Sequence, residues 1–174
     1  MRLPAEAEGD SCMLVKLIAC RVPERSRTQF AEAQMRWSEL KDVEGFILQL
    51  GGWAQESPET ALILALWQEK RGYFDFMRER HDDLFERTGQ RGTYEAIRIS
   101  VGVTRDDWLG AEAVQGLVKL IDPGASKAGD AVTWSRSGDG VELRWPGVLS
   151  GMLNPPFGFA GEASFSINRA WTIG

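Results

Sequence analysis

Over the first hundred positions the apolar residues follow two rhythms in turn, and their alternation predicts an order of elements. The run "MLVKLIACRV" (13–22) has strand length and apolar residues on both parities. Leu14, Ile18, Cys20 and Val22 fall on one face, Val15, Leu17 and Ala19 on the other, and Pro23 ends the run. In "ERSRTQFAEAQMRWSELKD", Phe30, Ala33, Trp37 and Leu40 stand at helical spacing, which predicts an amphipathic helix from Ser26 to Lys41. "EGFILQLGGWAQ" (44–55) reads as a second strand, "ESPET" as a turn at Pro58, and "ALILALWQ" (61–68) as a third strand, apolar on both faces. So short a connection predicts a hairpin between them. "EKRGYFDFMRERHDDLFERTGQ" predicts a second helix with Phe74, Met77, His81, Leu84, Phe85 and Thr88 on one side, closed by Gly89 and Gly92. "YEAIRISVGV" (94–103) alternates Ile97, Ile99 and Val101 with Arg98 and Ser100, a fourth strand.

The resulting β-α-β-β-α-β order is the ferredoxin-like split pattern, of the α+β class, over residues 1–103. Both helices then cover one face of a four-stranded antiparallel sheet. The first and third strands are apolar on both faces, so the other face is too large an apolar patch to meet water. Either a second copy of the chain covers it or the C-terminal segment does. Gly51 and Gly52 interrupt the second strand, where glycine marks either a bulge or a close approach by a ligand or a partner.

Beyond Val103 the texture changes. Residues 101–174 hold 12 of the 19 glycines and four of the seven prolines, with only 14 charges. In this extension (104–174), "AEAVQGLVKLID" (111–122) predicts a short helix. "AVTWSRSGDGVELRW" predicts a hairpin turning at Ser137-Gly138-Asp139-Gly140, and a last strand is expected near Ser164–Ile173. The rest reads as loop. The pattern of the first module is not repeated here, so a second module would be a degenerate one.

Composition narrows the function classes. The chain has 174 residues, 43% of them hydrophobic and 26% charged, as in an ordinary globular protein. Its formal net charge of −5 argues against a nucleic-acid or acidic-membrane partner, because phosphate binding needs a concentrated basic face. Arg78, Arg80, Arg87 and Arg91 alternate with Glu79, Asp82, Asp83 and Glu86, the pattern of a solvated helix side. Two cysteines, Cys12 and Cys20, and one histidine leave no four-ligand zinc site, and no metal is expected. No stretch approaches the ~20 apolar residues of a membrane helix, and the opening residues lack the form of a signal peptide. A cytoplasmic protein with reduced thiols is the expectation.

The segments "MLVKLIACRV", "QMRWSEL", "EGFILQLGGW", "ALILALWQ", "YFDFM", "HDDL" and "GTYEAI" together resemble the YdbC-like proteins. These are a bacterial group within the dimeric α/β-barrel, or antibiotic-biosynthesis-monooxygenase-like, superfamily. The resemblance covers about residues 13–100. It implies a homodimer whose sheets meet through the open face, and a pocket between the sheet and its helices. It also implies a chemistry drawn from a varied superfamily, since fold does not determine reaction. The haem-degrading members use an Asn on the first strand and a Trp and a later His on the second helix. Here the first strand has no Asn, Phe76 stands where the Trp is expected, and His81 comes about one and a half turns early.

His81 is the one histidine, and its spacing from Phe74, Met77 and Leu84 places it on the apolar stripe. It is either a core-edge histidine bonded to a neighbour such as Asp82, or a group that binds ligand and moves a proton near neutral pH. Trp37, Trp53, Trp67 and Phe76 are the candidate walls of a cavity for a small apolar organic ligand. Arg98 is a candidate anchor for an anionic substrate, and Tyr73 and Tyr94 for a hydroxyl that steadies an enolate. The expected activity is that of a cofactor-independent, monooxygenase-like enzyme with His81 as base and no cofactor. The other reading is a non-catalytic small-molecule-binding or stress-related protein that uses the same pocket.

Overall fold

A computed structural model describes residues 13–104, 131–137, 140–144, 151–153 and 163–174. The strands β1 (Leu14–Arg21), β2 (Phe46–Trp53), β3 (Thr60–Trp67) and β4 (Ala96–Val103) form an antiparallel sheet in the order β2-β3-β1-β4. Helix α1 (Arg27–Met35) follows β1, and α2 (Lys70–Glu79) and α3 (His81–Thr88) lie between β3 and β4. The α+β, ferredoxin-like order expected for the first module is present, including the β2–β3 hairpin.

Strand register explains why β1 and β3 are apolar on both parities. Val15, Leu66 and Leu48 make one cross-strand row, and Leu17, Leu64 and Leu50 the next, all pointing away from the helices. Lys16, Ala65 and Gln49, then Ile18, Ile63 and Gly51, make the alternate rows beneath the helices. The leucine rows are buried against a second sheet of the same chain. It comprises β5 (Ala131–Ser137), β6 (Gly140–Arg144), β7 (Gly151–Leu153) and β8 (Ala163–Ser166), in the order β7-β6-β5-β8. Val132, Trp134, Leu143 and Phe165 fill the space between the sheets, and Leu48, Leu50, Leu64 and Leu66 are fully buried there. Each such leucine contributes about 1.5–3 kcal/mol of burial.

This corrects one expectation. The face through which a homodimer was to form is not open. The chain's own second sheet lies on it, and a second copy would have to displace that sheet. The face-to-face sheet packing implied by the resemblance is thus made within one chain. The β5–β6 hairpin is as expected, with Ser137 opposite Gly140. The helix expected at 111–122 lies outside the described residues.

The glycine pair does not mark a bulge. Gly51 pairs with Ile63 and Gly52 with Leu62 in regular register, and the irregularity of β2 falls earlier, between Phe46 and Leu48. Both glycines answer a close approach by the tail. On the helix side, a Cβ at position 51 would meet Trp171 at 3.1 Å and the Leu62 carbonyl at 3.0 Å. On the opposite side, a Cβ at position 52 would overlap the Ser166 carbonyl oxygen. Rather than one strand over Ser164–Ile173, the tail passes from β8 into a 3₁₀ turn at Arg169–Trp171 and then along the outer edge of β2. The Asn168 amide donates to the Gly51 carbonyl at 2.8 Å, and Gln49 and Ile173 exchange two backbone bonds of 2.8 and 3.0 Å. An edge that would otherwise offer unpaired backbone groups is closed in this way.

The helices differ from expectation in their regularity. Only Arg27–Met35 of the first is α-helical. Glu24–Ser26 before it and Arg36–Asp42 after it are 3₁₀. The expected core set of Phe30, Ala33, Trp37 and Leu40 is nevertheless buried. Trp37 and Leu40 are three apart, the repeat of a 3₁₀ turn, so both face inward without an α-helix. The second expected helix is two, broken at Arg80 (φ −132°, ψ −25°). That break restarts the turn, and one periodicity drawn across it misplaces Phe74. Phe74 is 54% exposed, while Tyr73 and Phe76 take the buried face. Gly89, at φ +72°, ends α3 in the left-handed conformation that glycine adopts freely. No helix among the described residues is long and apolar enough to cross a membrane.

Candidate functional site

Between the helices and the sheet lies a cavity of about 470 Å³. Its floor is the helix-facing side of the strands, with Lys16, Ile18 and Cys20 from β1 and Ala65 and Trp67 from β3. Gln34 and Trp37 roof it from the first helical stretch, and Tyr73, Phe76, His81 and Phe85 from α2 and α3. The mouth lies beside β4, where Ile97 and Ile99 line it while remaining 45% and 43% exposed.

His81 owes its position to the break at Arg80, which makes it the first residue of α3 instead of a mid-helix residue. Three rings surround it. Phe85, one turn on, stacks at 6.0 Å and 6°, Trp37 lies at 5.8 Å, and Phe76 stands edge-on at 5.9 Å. Its Nδ1 is 3.0 Å from Asp82 Oδ1. The Asp82 side chain is 97% exposed, so this contact orients the ring more than it holds charge. With Nδ1 engaged, Nε2 is the nitrogen left for other chemistry. Beside it, Trp37 Nε1 donates to Gln90 Oε1 at 2.7 Å in a buried bond. That bond settles the orientation of the roof indole.

The floor holds a group that the pattern of the strand did not single out. Lys16 is 8% exposed and has no carboxylate partner among the described residues. Its Nζ lies 3.9 Å from Met77 Sδ and 5.2 Å over the centre of the Tyr73 ring. Burial lowers its pKa from 10.5 to about 8. Burial also pushes the Cys20 thiol up to about 12 and raises the Tyr73 phenol. Cys20 is therefore a packing thiol, not a nucleophile. Among the described residues no three of His, Cys, Asp and Glu gather closely enough to hold a metal ion.

Of the residues singled out from sequence, the cavity brings together His81, Trp37, Trp67 and Phe76, with Tyr73 and Tyr94. It does not include Trp53 or Arg98. Trp53 packs against Phe30 at 5.9 Å and Trp171 at 5.3 Å, with the Arg27 guanidinium 3.8 Å over its ring. Arg98 alternates with Ile97 and Ile99 and so faces the other way. It lines a separate recess of about 480 Å³ with Glu56, Trp134 and Ser164, where the two sheets meet. Lys16 and Gln34 were missed. The signal for Lys16 was its parity, since it shares a face with Ile18 and Cys20 beneath the predicted helices.

The chain matches the family described as domain of unknown function DUF4937 over residues 14–101. It is 35% identical over 91 residues to the uncharacterized protein YdbC of Bacillus subtilis (strain 168), covering 51% of this chain and 76% of that protein. Among solved structures it is similar to a conserved protein of unknown function from Bacteroides thetaiotaomicron VPI-5482. There the TM-score is 0.45 at 16% identity, over 52% of this chain and 96% of the other. It is also similar to an anthrone oxidase-like protein, with a TM-score of 0.46 at 12% identity over 93% of this chain and 76% of the other.

Proposed function

The chain belongs to the DUF4937 family, and from that premise we propose that the cavity between its helices and sheet binds and oxidises a flat, mostly apolar organic molecule. The observation that carries this reading is His81, its ring oriented by Asp82 and set in the wall of a cavity with Trp37, Trp67 and Phe76. Aromatic walls take a planar ligand by stacking and exclude water. A histidine there can take a proton from an acidic C–H of the ligand. The carbanion so formed can reduce dioxygen directly, without a cofactor. A C–O bond forms to one oxygen atom, and a ring methylene becomes a carbonyl as the other oxygen leaves in water: R₂CH₂ + O₂ → R₂C=O + H₂O. A base, a donor for the developing oxyanion and a dry pocket are all the protein has to supply.

A second reading, binding without turnover, is favoured by the near-parallel stack of His81 on Phe85, which also suits a histidine held as packing. Oxygen uptake with a panel of polycyclic phenols whose keto tautomers carry an acidic ring methylene separates the two. Turnover by wild type that disappears in His81→Ala, with the circular dichroism spectrum unchanged, supports the enzyme. Binding of the same compounds without oxygen uptake in wild type supports the binding protein.

A further inference from the structure

We propose that Lys16 is the anion site of this cavity, receiving the ionised oxygen of a conjugated organic acid, phenol or enol. The proposal rests on the cavity reading above and names its ligand class. Lys16 projects from the third residue of β1 onto the cavity floor, more than nine-tenths buried, and its described neighbours are a thioether and a phenol ring instead of a carboxylate. An ammonium buried with only such soft neighbours is in an expensive position, and an arriving anion relieves it. The lowered pKa of this lysine expresses the same deficit.

A second, independent group points the same way. Gln34 roofs the cavity at 2% exposure, and its Oε1 has no hydrogen-bond partner among the described residues. A buried acceptor left unpaired calls for a donor. The strand register adds a third group, because Gln49 lies in the same cross-strand row as Lys16, with Ala65 between them. The cavity therefore presents a cation and an amide on its floor, an unfilled acceptor in its roof, and aromatic walls. The ligand complementary to this is planar, carries one anionic oxygen, and also carries an O–H or N–H donor. At about 470 Å³ the cavity falls in the ~300–1,000 Å³ range of small-molecule sites.

The test is calorimetric titration of the full chain with 3-hydroxy-2-naphthoate, which is planar with a carboxylate and a hydroxyl, and with its neutral methyl ester. Wild type should bind the acid at least tenfold more tightly than the ester. Lys16→Met should lose that preference while still binding the ester, and Lys16→Gln serves as the second variant if the methionine disturbs the fold. His81→Ala should keep the preference whether or not His81 is a base, so failure of the catalytic reading leaves the anion site standing. Equal binding of acid and ester by wild type overturns the proposal, as does a preference that survives both Lys16 variants. Binding of neither probe overturns the anion site together with the cavity reading.

Discussion

The Cβ that Gly52 lacks would clash with the Ser166 carbonyl oxygen. Residue 52 belongs to the first sheet and residue 166 to the second, so the junction between sheets is made backbone to backbone at this point. Gly52→Ala should destabilise the protein by about 3 kcal/mol or more, at the upper end of overpacking effects. Gly51→Ala should be milder, because part of what it meets is the Trp171 ring, which can shift, although the Leu62 carbonyl at 3.0 Å cannot easily do so. Urea unfolding of the two variants checks the order. Equal losses would show that the Ser166 contact is not as tight as described.

Phe165 tests whether the second sheet is an integral part of the core. It is fully buried, packs at 5.9 Å against Trp134, and belongs to the cluster shared with the leucine rows. Phe165→Ala should cost about 3–5 kcal/mol. The loss should appear as one cooperative unfolding transition seen equally by fluorescence and by circular dichroism. Two separate transitions would show that the sheets unfold independently.

The closed leucine face predicts the assembly state. With Leu48, Leu50, Leu64 and Leu66 already covered, the drive for a second copy to bind there is gone. Sedimentation at micromolar concentration should report one chain per particle. A two-chain particle would require an interface on some other surface.

Lys16 predicts a pH dependence of definite sign. Its pKa falls from 10.5 in the free side chain to about 8 in the fold. Between these values the unfolded chain holds more protons than the folded one, so this residue's contribution to stability rises with pH. Below pH 8 the full penalty applies, on the order of 3 kcal/mol. Lys16→Met should therefore be more stable than wild type at pH 7, and the gap should close between pH 8 and 10.5. The other titratable or charged groups of the cavity are Cys20 on β1, Tyr73 on α2, His81, Asp82 and Glu86 on α3, and Arg91 and Tyr94 beyond it. They are common to both proteins and largely cancel in the difference. A gap still as wide at pH 10 as at pH 7 would rule out a strained lysine.

The Trp37–Gln90 bond fixes the roof. Gln90→Leu leaves the buried indole N–H unpaired and should cost about 1–3 kcal/mol. Any ligand that stacks on Trp37 should also bind less tightly. A roof that tolerates the change, with ligand affinity intact, would make this bond incidental.

How much of this was legible depended on how far away the cause of each feature lay. The strands and the core residues Phe30, Ala33, Trp37 and Leu40 follow from local periodicity, and local periodicity is what a single chain displays. Gly51 and Gly52 could be recognised as a place of close approach, but what approaches is Ser166 and Trp171, more than a hundred residues on. Trp67 and Trp53 sit at opposite ends of neighbouring strands with equal claims on a cavity, and only the tail, laying Trp171 against Trp53, decides between them. For Arg98, parity gave the correct face but not the second sheet beyond it. Lys16 is visible by parity, but a lysine amid apolar neighbours reads as an interruption of the strand. His81 stands half-buried beside Phe85 and lines the cavity, but its neighbours follow from a break at Arg80 that has no proline or glycine to announce it.

The route of the tail along β2 has a consequence in time as well as in space. During synthesis β2 meets β3 almost at once, while Ile173, which closes its other edge, emerges only after more than a hundred further residues. Until then a nascent chain carries a nearly complete sheet with its leucine face and one edge bare, the form in which unfinished proteins adhere to one another. Such widely separated contacts also slow folding. The growing polypeptide should thus depend on chaperone shielding between the appearance of β4 and that of β8, and a ribosome stalled in that interval would release an aggregation-prone product.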